Sequence, residues 1–250
     1  MARTALVTGA AGGIGLAITR ALLDEGYEVV LVDASPRVAE LAAELAGSGL
    51  PATALQLDLG DIPAVEAAAA ALLAEHGVVD TLVNNAGIHI HGPKDELQTM
   101  DIIDLENWES TFRVNLTAPF VLSRALLPAM KAQGWGRVVN IASRAGRTWI
   151  PGGSASYSAS KAGIIGLTRT IAGEYAAFGV TANVVSPGPI ESPLMRRQSD
   201  EVIAAGLSGI PRGVVGQPED IAGAVRYLAS EGAANVVGAV IDVNGGGFMP

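Results

Sequence analysis

Within the first thirty-three residues a glycine-rich turn separates a short apolar run from a helical repeat, and few architectures accommodate that order. Thr4 to Thr8 is β-branched and apolar, as a buried strand requires, and Gly9-Ala10-Ala11-Gly12-Gly13-Ile14-Gly15 follows at once. Ile14, Ala17, Ile18, Ala21 and Leu22 then recur at helical spacing until Glu25-Gly26 ends the pattern. Glu28 to Val32 is nearly continuous aliphatic sequence, the pattern of a strand covered on both faces. Two such strands joined through a helix are parallel, because a crossover of that length is what parallel pairing needs.

The alternation continues to the end of the chain. Helical patterns occupy Val38 to Leu45, Ile62 to His76, Leu105 to Lys131, Ser156 to Phe178 and Pro218 to Ala229. Strand patterns occupy Ala54 to Leu57, Val78 to Val83, Gly136 to Ile141, Thr181 to Val185 and Val240 to Val243. Pro119 and Pro128 are expected to kink or interrupt the longest helical region. Seven candidate strands without a linker or composition break predict one doubly wound α/β domain over residues 1–250, a seven-stranded parallel sheet flanked by helices. Ligands of such sheets bind beyond the carboxyl ends of the strands, where the irregular stretches Ile88 to Asp104 and Pro187 to Gly216 fall.

Composition removes several function classes. A net charge of -9 argues against nucleic-acid partners, which require clustered Lys and Arg. No apolar run approaches the roughly 18 residues of a membrane span, so no membrane partner is expected. The absence of cysteine excludes disulfides, thiolate zinc sites and a thiol nucleophile, and fits a cytoplasmic setting. No metal is expected: His89 and His91 flank Ile90, but no third ligand is evident.

The glycine turn suits a dinucleotide. Pyrophosphate lying against backbone N–H groups at a helix N-terminus needs residues without Cβ, and no Lys-Ser/Thr follows as a P-loop would require. Asp33 ends the second strand eighteen residues past Gly15, near the position of a ribose-binding acid. A carboxylate there accepts from a ribose 2′-hydroxyl and repels a 2′-phosphate, and Ala34 rather than a cation follows it. The expected cofactor is therefore NAD. The alternative role for Asp33 is a strand-end cap.

Tyr157 and Lys161 stand four apart, on one face of a helix, and Ser143 ends the strand before it. Alone, a Tyr-x-x-x-Lys pair is common. Here it accompanies the glycine turn, Asn84-Asn85-Ala86-Gly87 after the fourth strand and Pro187-Gly188 after the sixth. That set resembles the short-chain dehydrogenase/reductase family in its extensive single-domain form, with the 3-oxoacyl-carrier-protein reductase-like branch nearest. The resemblance implies a Rossmann-like sheet and a catalytic tetrad of Asn115, Ser143, Tyr157 and Lys161. It implies adenine-side contacts at Asp58 and Leu59, and nicotinamide-side contacts at Asn85, Ala86, Gly87 and Pro187, Gly188 and Ile190. Together with Gly9, Gly12, Gly13, Ile14, Gly15 and Asp33, these make up the expected cofactor site. Most of that branch resembles NADP users, which sets Asp33 apart.

Two departures are visible. Ser143 and Tyr157 are fourteen apart, one more than the family leads one to expect, so a bulged loop is expected between them. Ser192 stands where a threonine often follows the Pro-Gly motif, and its hydroxyl would reach the nicotinamide amide. On this reading Tyr157 exchanges the hydroxyl proton and Ser143 hydrogen-bonds the substrate oxygen. Lys161 holds the nicotinamide ribose and, together with the oxidised ring, draws the phenol's pKa of about 10 downward by charge. Asn115 anchors a water joining Lys161 to solvent.

The expected activity is hydride transfer between NAD(H) and a secondary alcohol or its ketone, a small-molecule partner. The rival reading is a catalytically idle dinucleotide-binding sensor or scaffold. Arg144, Trp149 and Met195 are candidates for the substrate border, with Arg147 in the same loop. Solvation or structural pairing of the arginines competes with that role. The resemblance also implies a homotetramer, or failing that a dimer.

Overall fold

The computed structural model describes residues 2–90, 99–150, 153–192 and 207–250. Seven strands form one parallel sheet: β1 (Thr4–Thr8), β2 (Glu28–Asp33), β3 (Ala52–Gln56), β4 (Thr81–Asn84), β5 (Gly136–Ile141), β6 (Val180–Pro187) and β7 (Val240–Val243). Their order is β3-β2-β1-β4-β5-β6-β7, so the chain reverses direction of travel between β1 and β4. Register runs from Thr4 opposite Glu28 to Thr8 opposite Val32, and from Ala5 opposite Thr81 to Val7 opposite Val83.

Successive β1 side chains point to opposite faces, and both faces are covered. Ala5 and Val7 pack with Ile18 and Leu22 of α1 (Gly13–Asp24), Leu41 of α2 (Arg37–Gly47) and Val225 of a late helix, Pro218–Ala229. Leu6 faces the other way, against Val65 and Leu72 of α3 (Ile62–His76) and later helices. Each fully buried Ile or Leu contributes about 1.5–3 kcal/mol by leaving water, so the sheet is stabilised from both sides.

The region expected as one helix from Leu105 to Lys131 is two: α4 (Leu105–Phe112) and α5 (Ala118–Gln133), joined by a π-helical turn at Arg113–Thr117. The backbone stays helical across the join, with Arg113 and Thr117 both right-handed helical, so the change of helix type falls just before Pro119 without breaking the run. Pro128 lies inside α5 and does not end it. The next helix, α6 (Ala155–Tyr175), carries Tyr157 and Lys161, and Pro218–Ala229 is α7. Among the described residues no helix is long and apolar enough to cross a membrane.

Candidate active site

The turn after β1 uses its glycines in two ways. Gly9 has φ +67°, and a Cβ there would come within 2.9 Å of the Ala86 Cα. At Gly15 a Cβ would lie 2.0 Å from the Gly9 carbonyl oxygen, so helix and turn could not pack. Gly12 and Gly13 are different: the nearest protein atoms would stand 3.5 and 3.7 Å away, ordinary contacts. The chain's own packing does not demand those two glycines, and both line a cleft of about 330 Å³. At the same point α1 begins without a side-chain cap on its first N–H groups. By contrast Asp61, Asp104 and Ser154 cap α3, α4 and α6. An uncapped helix N-terminus opening on a cleft with no Cβ in the way fits the pyrophosphate of a dinucleotide.

Asp33 lines this cleft and also the adjoining one of about 200 Å³, with Asp58, Leu59 and Ala34. Its carboxylate accepts from Ala11 N and Ser35 N, both at 2.9 Å. It is thus a cap for the turn, as the alternative reading had it. An ionised carboxylate offers roughly four acceptor sites, so two remain for ribose hydroxyls.

A third cavity of about 300 Å³ continues from the first and holds Ser143, Tyr157, Lys161, Pro187 and Gly188. Ser143 leaves β5 as the cap of a one-turn 3₁₀ helix at Arg144–Gly146, its hydroxyl accepting from Ala145 N at 3.1 Å. Tyr157 lies in the first turn of α6 and Lys161 one turn on, with Nζ donating to the Ile141 carbonyl at 2.9 Å. Burial without a counter-charge pushes the Lys161 ammonium down to about 8. Burial raises the Tyr157 phenol, and a hydrogen bond with Ser143 offsets this in part.

The expectation that Lys161 draws the phenol downward is therefore not met in the chain alone. Its ammonium stands 5.8 Å from the Tyr157 ring centroid and is turned to a carbonyl. Asn115, in the π-helical turn, receives Ile88 N on Oδ1 at 2.8 Å and donates from Nδ2 to Ile88 O and Ser160 Oγ at 3.0 and 3.1 Å. It binds the loop after β4 to α6, and its Oδ1 would lie 3.4 Å from a Cβ at Gly87.

The family model described as short chain dehydrogenase matches residues 3–202. This chain belongs to the short-chain dehydrogenase/reductase family. It lies in the 3-oxoacyl-carrier-protein reductase-like branch: the reductase FabG of Escherichia coli is 40% identical over 247 residues, 99% of this chain and 98% of that one. Among solved structures, a protein of Beutenbergia cavernae described as a putative NAD(P) dependent gluconate 5-dehydrogenase, with bound NADP at low occupancy, is 40% identical with a TM-score of 0.89, covering 98% of this chain and 96% of that one. A putative gluconate dehydrogenase from Agrobacterium tumefaciens is 32% identical with a TM-score of 0.89, covering 98% and 95%.

Within this family member every expected cofactor position among Gly9, Gly12, Gly13, Ile14, Gly15, Asn85, Ala86, Gly87, Ile190 and Ser192 lines the first cleft. Asn85 also has a structural task, since its Nδ2 donates to the carbonyls of Thr8 and Gly9 at 2.9 and 3.2 Å. The substrate-border expectations fare differently. Arg144 turns to the C-terminal tail and donates to Gly247 O at 3.3 Å, and Arg147 pairs with Asp242 at 3.0 Å. One guanidinium serves a carbonyl of the tail and the other a carboxylate of β7, the structural pairing that competed with a place in the pocket. Trp149 is 82% exposed. Met195, His91 and the 151–152 part of the expected loop bulge lie outside the described residues.

Two positions escaped the sequence reading. Thr8 Oγ1 accepts from both Asn85 N and Ala86 N at 3.0 Å, joining the two loops of the switch point. Gly146 lets the Ser143 turn rest on α6, for a Cβ there would fall 2.5 Å from the Lys161 carbonyl. A threonine directly before the glycine turn and a glycine three past the serine were the available signals.

Proposed function

We propose that this protein is an NAD(H)-dependent oxidoreductase acting on a secondary alcohol or the matching ketone, with Tyr157 as general acid and base. The observation that carries this reading is the one cavity that holds Ser143, Tyr157 and Lys161 together, at the end of a trough running from the uncapped α1 N-terminus. A bound nicotinamide supplies the hydride acceptor or donor and, when oxidised, a positive charge beside the phenol.

The chain's own residues do the rest. Tyr157 takes the alcohol proton or returns it to the ketone oxygen, while Ser143 donates to that oxygen as charge builds on it. Lys161 and Asn115 hold the wall behind them, one on Ile141 and one on Ile88. Ser143, Tyr157 and Lys161 line one cavity together with Asn85, Gly87, Pro187 and Gly188, which favours catalysis over an idle sensor.

Preference for NAD over NADP rests on charge. The described residues lining the two dinucleotide clefts include Asp33, Asp58 and Glu191 and no Lys or Arg. A 2′-phosphate there meets carboxylates without a cation to neutralise it. The cysteine-free composition suits a cytoplasmic setting, and residues 1–250 are read as one domain. Steady-state kinetics on secondary alcohols and ketones, with NAD(H) and NADP(H) in parallel, test the proposal. Turnover with kcat/KM at least about tenfold higher for NAD(H) agrees with it, and equal use of both cofactors or no turnover contradicts it.

A further inference from the structure

Ser143 is held from behind by two cations of its own turn. Gly146 N donates to Ser143 O at 3.0 Å and Arg147 N to Arg144 O at 2.9 Å, so the turn moves as one piece. Arg147 leaves that turn toward β7, where its guanidinium donates to the Asp242 carboxylate at 3.0 Å. The two side chains are only 17% and 16% exposed, and the guanidinium lies over the Phe248 ring at 4.7 Å. Arg144 adds a longer bond, 3.3 Å, to the neutral carbonyl of Gly247. A charge-assisted pair withdrawn from water is the stronger of these two ties.

The far end of that pair is fastened to the opposite wall of the cavity. In the β6–β7 ladder Asp242 stands opposite Ser186 and Val243 opposite Pro187, and Gly188 N donates to Val243 O at 3.0 Å. Pro187 and Gly188 line the cavity with Ser143 and Tyr157, whereas neither Arg147 nor Asp242 is among the described residues that do. Beyond β7 the tail is closed on itself. Asn244 receives Gly246 N on Oδ1 at 2.9 Å and donates to Phe248 O at 3.1 Å, which keeps the Phe248 ring over the guanidinium. Arg147 thus bridges two walls of the cavity without entering it.

We infer that Arg147, through its pair with Asp242, is a positioning residue that sets the Ser143 hydroxyl against the Pro187–Gly188 wall. The inference rests on the reading proposed above, in which Ser143 donates to the reacting oxygen. A donor stabilises developing charge only when it stands where the oxygen will be. A small displacement of it costs rate and leaves cofactor affinity alone.

The test uses the full-length protein, NADH and a panel of butanone, cyclohexanone and ethyl acetoacetate, and follows the ketone that wild type reduces fastest. Arg147→Met keeps an unbranched apolar stem and removes the charge. Its kcat falls by about tenfold, less than the roughly 10²–10³ that loss of an oxyanion donor itself costs. NADH affinity, measured by fluorescence titration, stays within about twofold of wild type. Arg147→Lys, which can still pair with Asp242, recovers part of kcat. Asp242→Asn breaks the ion pair from the β7 side with a side chain of the same shape, so it shows the same pattern even where Arg147→Met fails to fold. Ser143→Ala removes the group being positioned, so adding either variant to it lowers kcat no further. An unchanged kcat in the single variants, a loss of NADH affinity in step with kcat, no recovery by lysine, or a further loss in the Ser143→Ala background overturns the inference. No turnover of any ketone by wild type while NADH binds, or full kcat in Ser143→Ala, overturns the underlying reaction, and the inference with it.

Discussion

Lys161 shows what the site costs the fold at the scale of one residue. Its ammonium is buried, and its pKa falls from an ordinary 10.5 to about 8. Between those values the unfolded chain binds the proton and the folded chain does not. Stability from this group therefore rises as pH climbs from about 8 toward 10.5, and the full destabilisation is present below 8. Lys161→Met should abolish activity and yet melt higher than wild type at pH 7. The gap in Tm should narrow as pH approaches 10, and a gap independent of pH would contradict the buried-charge account. Gly146 has the opposite character. Gly146→Ala places a methyl against the Lys161 carbonyl, so we expect a loss of about 1–3 kcal/mol in urea denaturation together with reduced kcat, because Ser143 moves with its turn. Cofactor choice also belongs to this scale. Replacing Asp33→Ala together with Ala34→Arg should shift the kcat/KM ratio toward NADP, and an unchanged ratio would remove Asp33 from the argument. Tyr157 and Lys161 were legible because their helical spacing coincided with the glycine turn, Asn84-Asn85-Ala86-Gly87 and Pro187-Gly188, and Asp33 because it stands at a strand end eighteen residues past Gly15. Gly146 and Thr8 were not, since their importance lies in approaches between segments far apart in sequence.

Among the elements, β5 and β7 match their expected bounds. The fourth strand does not: Val79 is fully buried yet precedes β4, whose pairing with β1 starts at Thr81. Hydrophobicity reports burial, whereas strand limits report hydrogen-bonded pairing, and only the second depends on the neighbour. The π-helical turn at Arg113–Thr117 is likewise unreadable from apolar periodicity, because the buried positions leading through it, Asn107, Thr111 and Asn115, are polar. Its consequence is concrete, for Asn115 sits within it and reaches Ile88. Such turns often occur at functional sites. Ser154 caps α6, its hydroxyl accepting from Tyr157 N at 3.4 Å. At the start of α1, Gly15→Ala should break the turn outright, since the clash is with the backbone oxygen of Gly9. NADH affinity measured by fluorescence titration is expected to fall by about tenfold or more for a misplaced anion site, and unchanged affinity would show that the turn relaxes without consequence.

For the whole molecule, one sheet carries the trough, the phenol and the loops that border them, so folding and cofactor binding are linked. Excess NADH should raise Tm through selective binding to the folded state. Assembly adds a further expectation. The surface of α4 and α5 leaves Leu105 and Phe120 exposed, and the tail leaves Met249 exposed. We propose that these are covered in a homotetramer of closed symmetry, or in a dimer, and a monomer mass by light scattering at micromolar concentration would contradict that. The central claim is that the trough delivers its ligand to Tyr157 for proton exchange during hydride transfer. Tyr157→Phe tests it most directly, because the ring and its stack on His89 remain while the hydroxyl goes. With reduced-nicotinamide absorbance following turnover and fluorescence following binding, kcat should drop by about a hundredfold or more, within the range of general acid–base contributions, while NADH affinity stays near wild type. Activity within about tenfold of wild type, a barrier change of only ~1.4 kcal/mol, would contradict the assignment of Tyr157 and the reaction built on it.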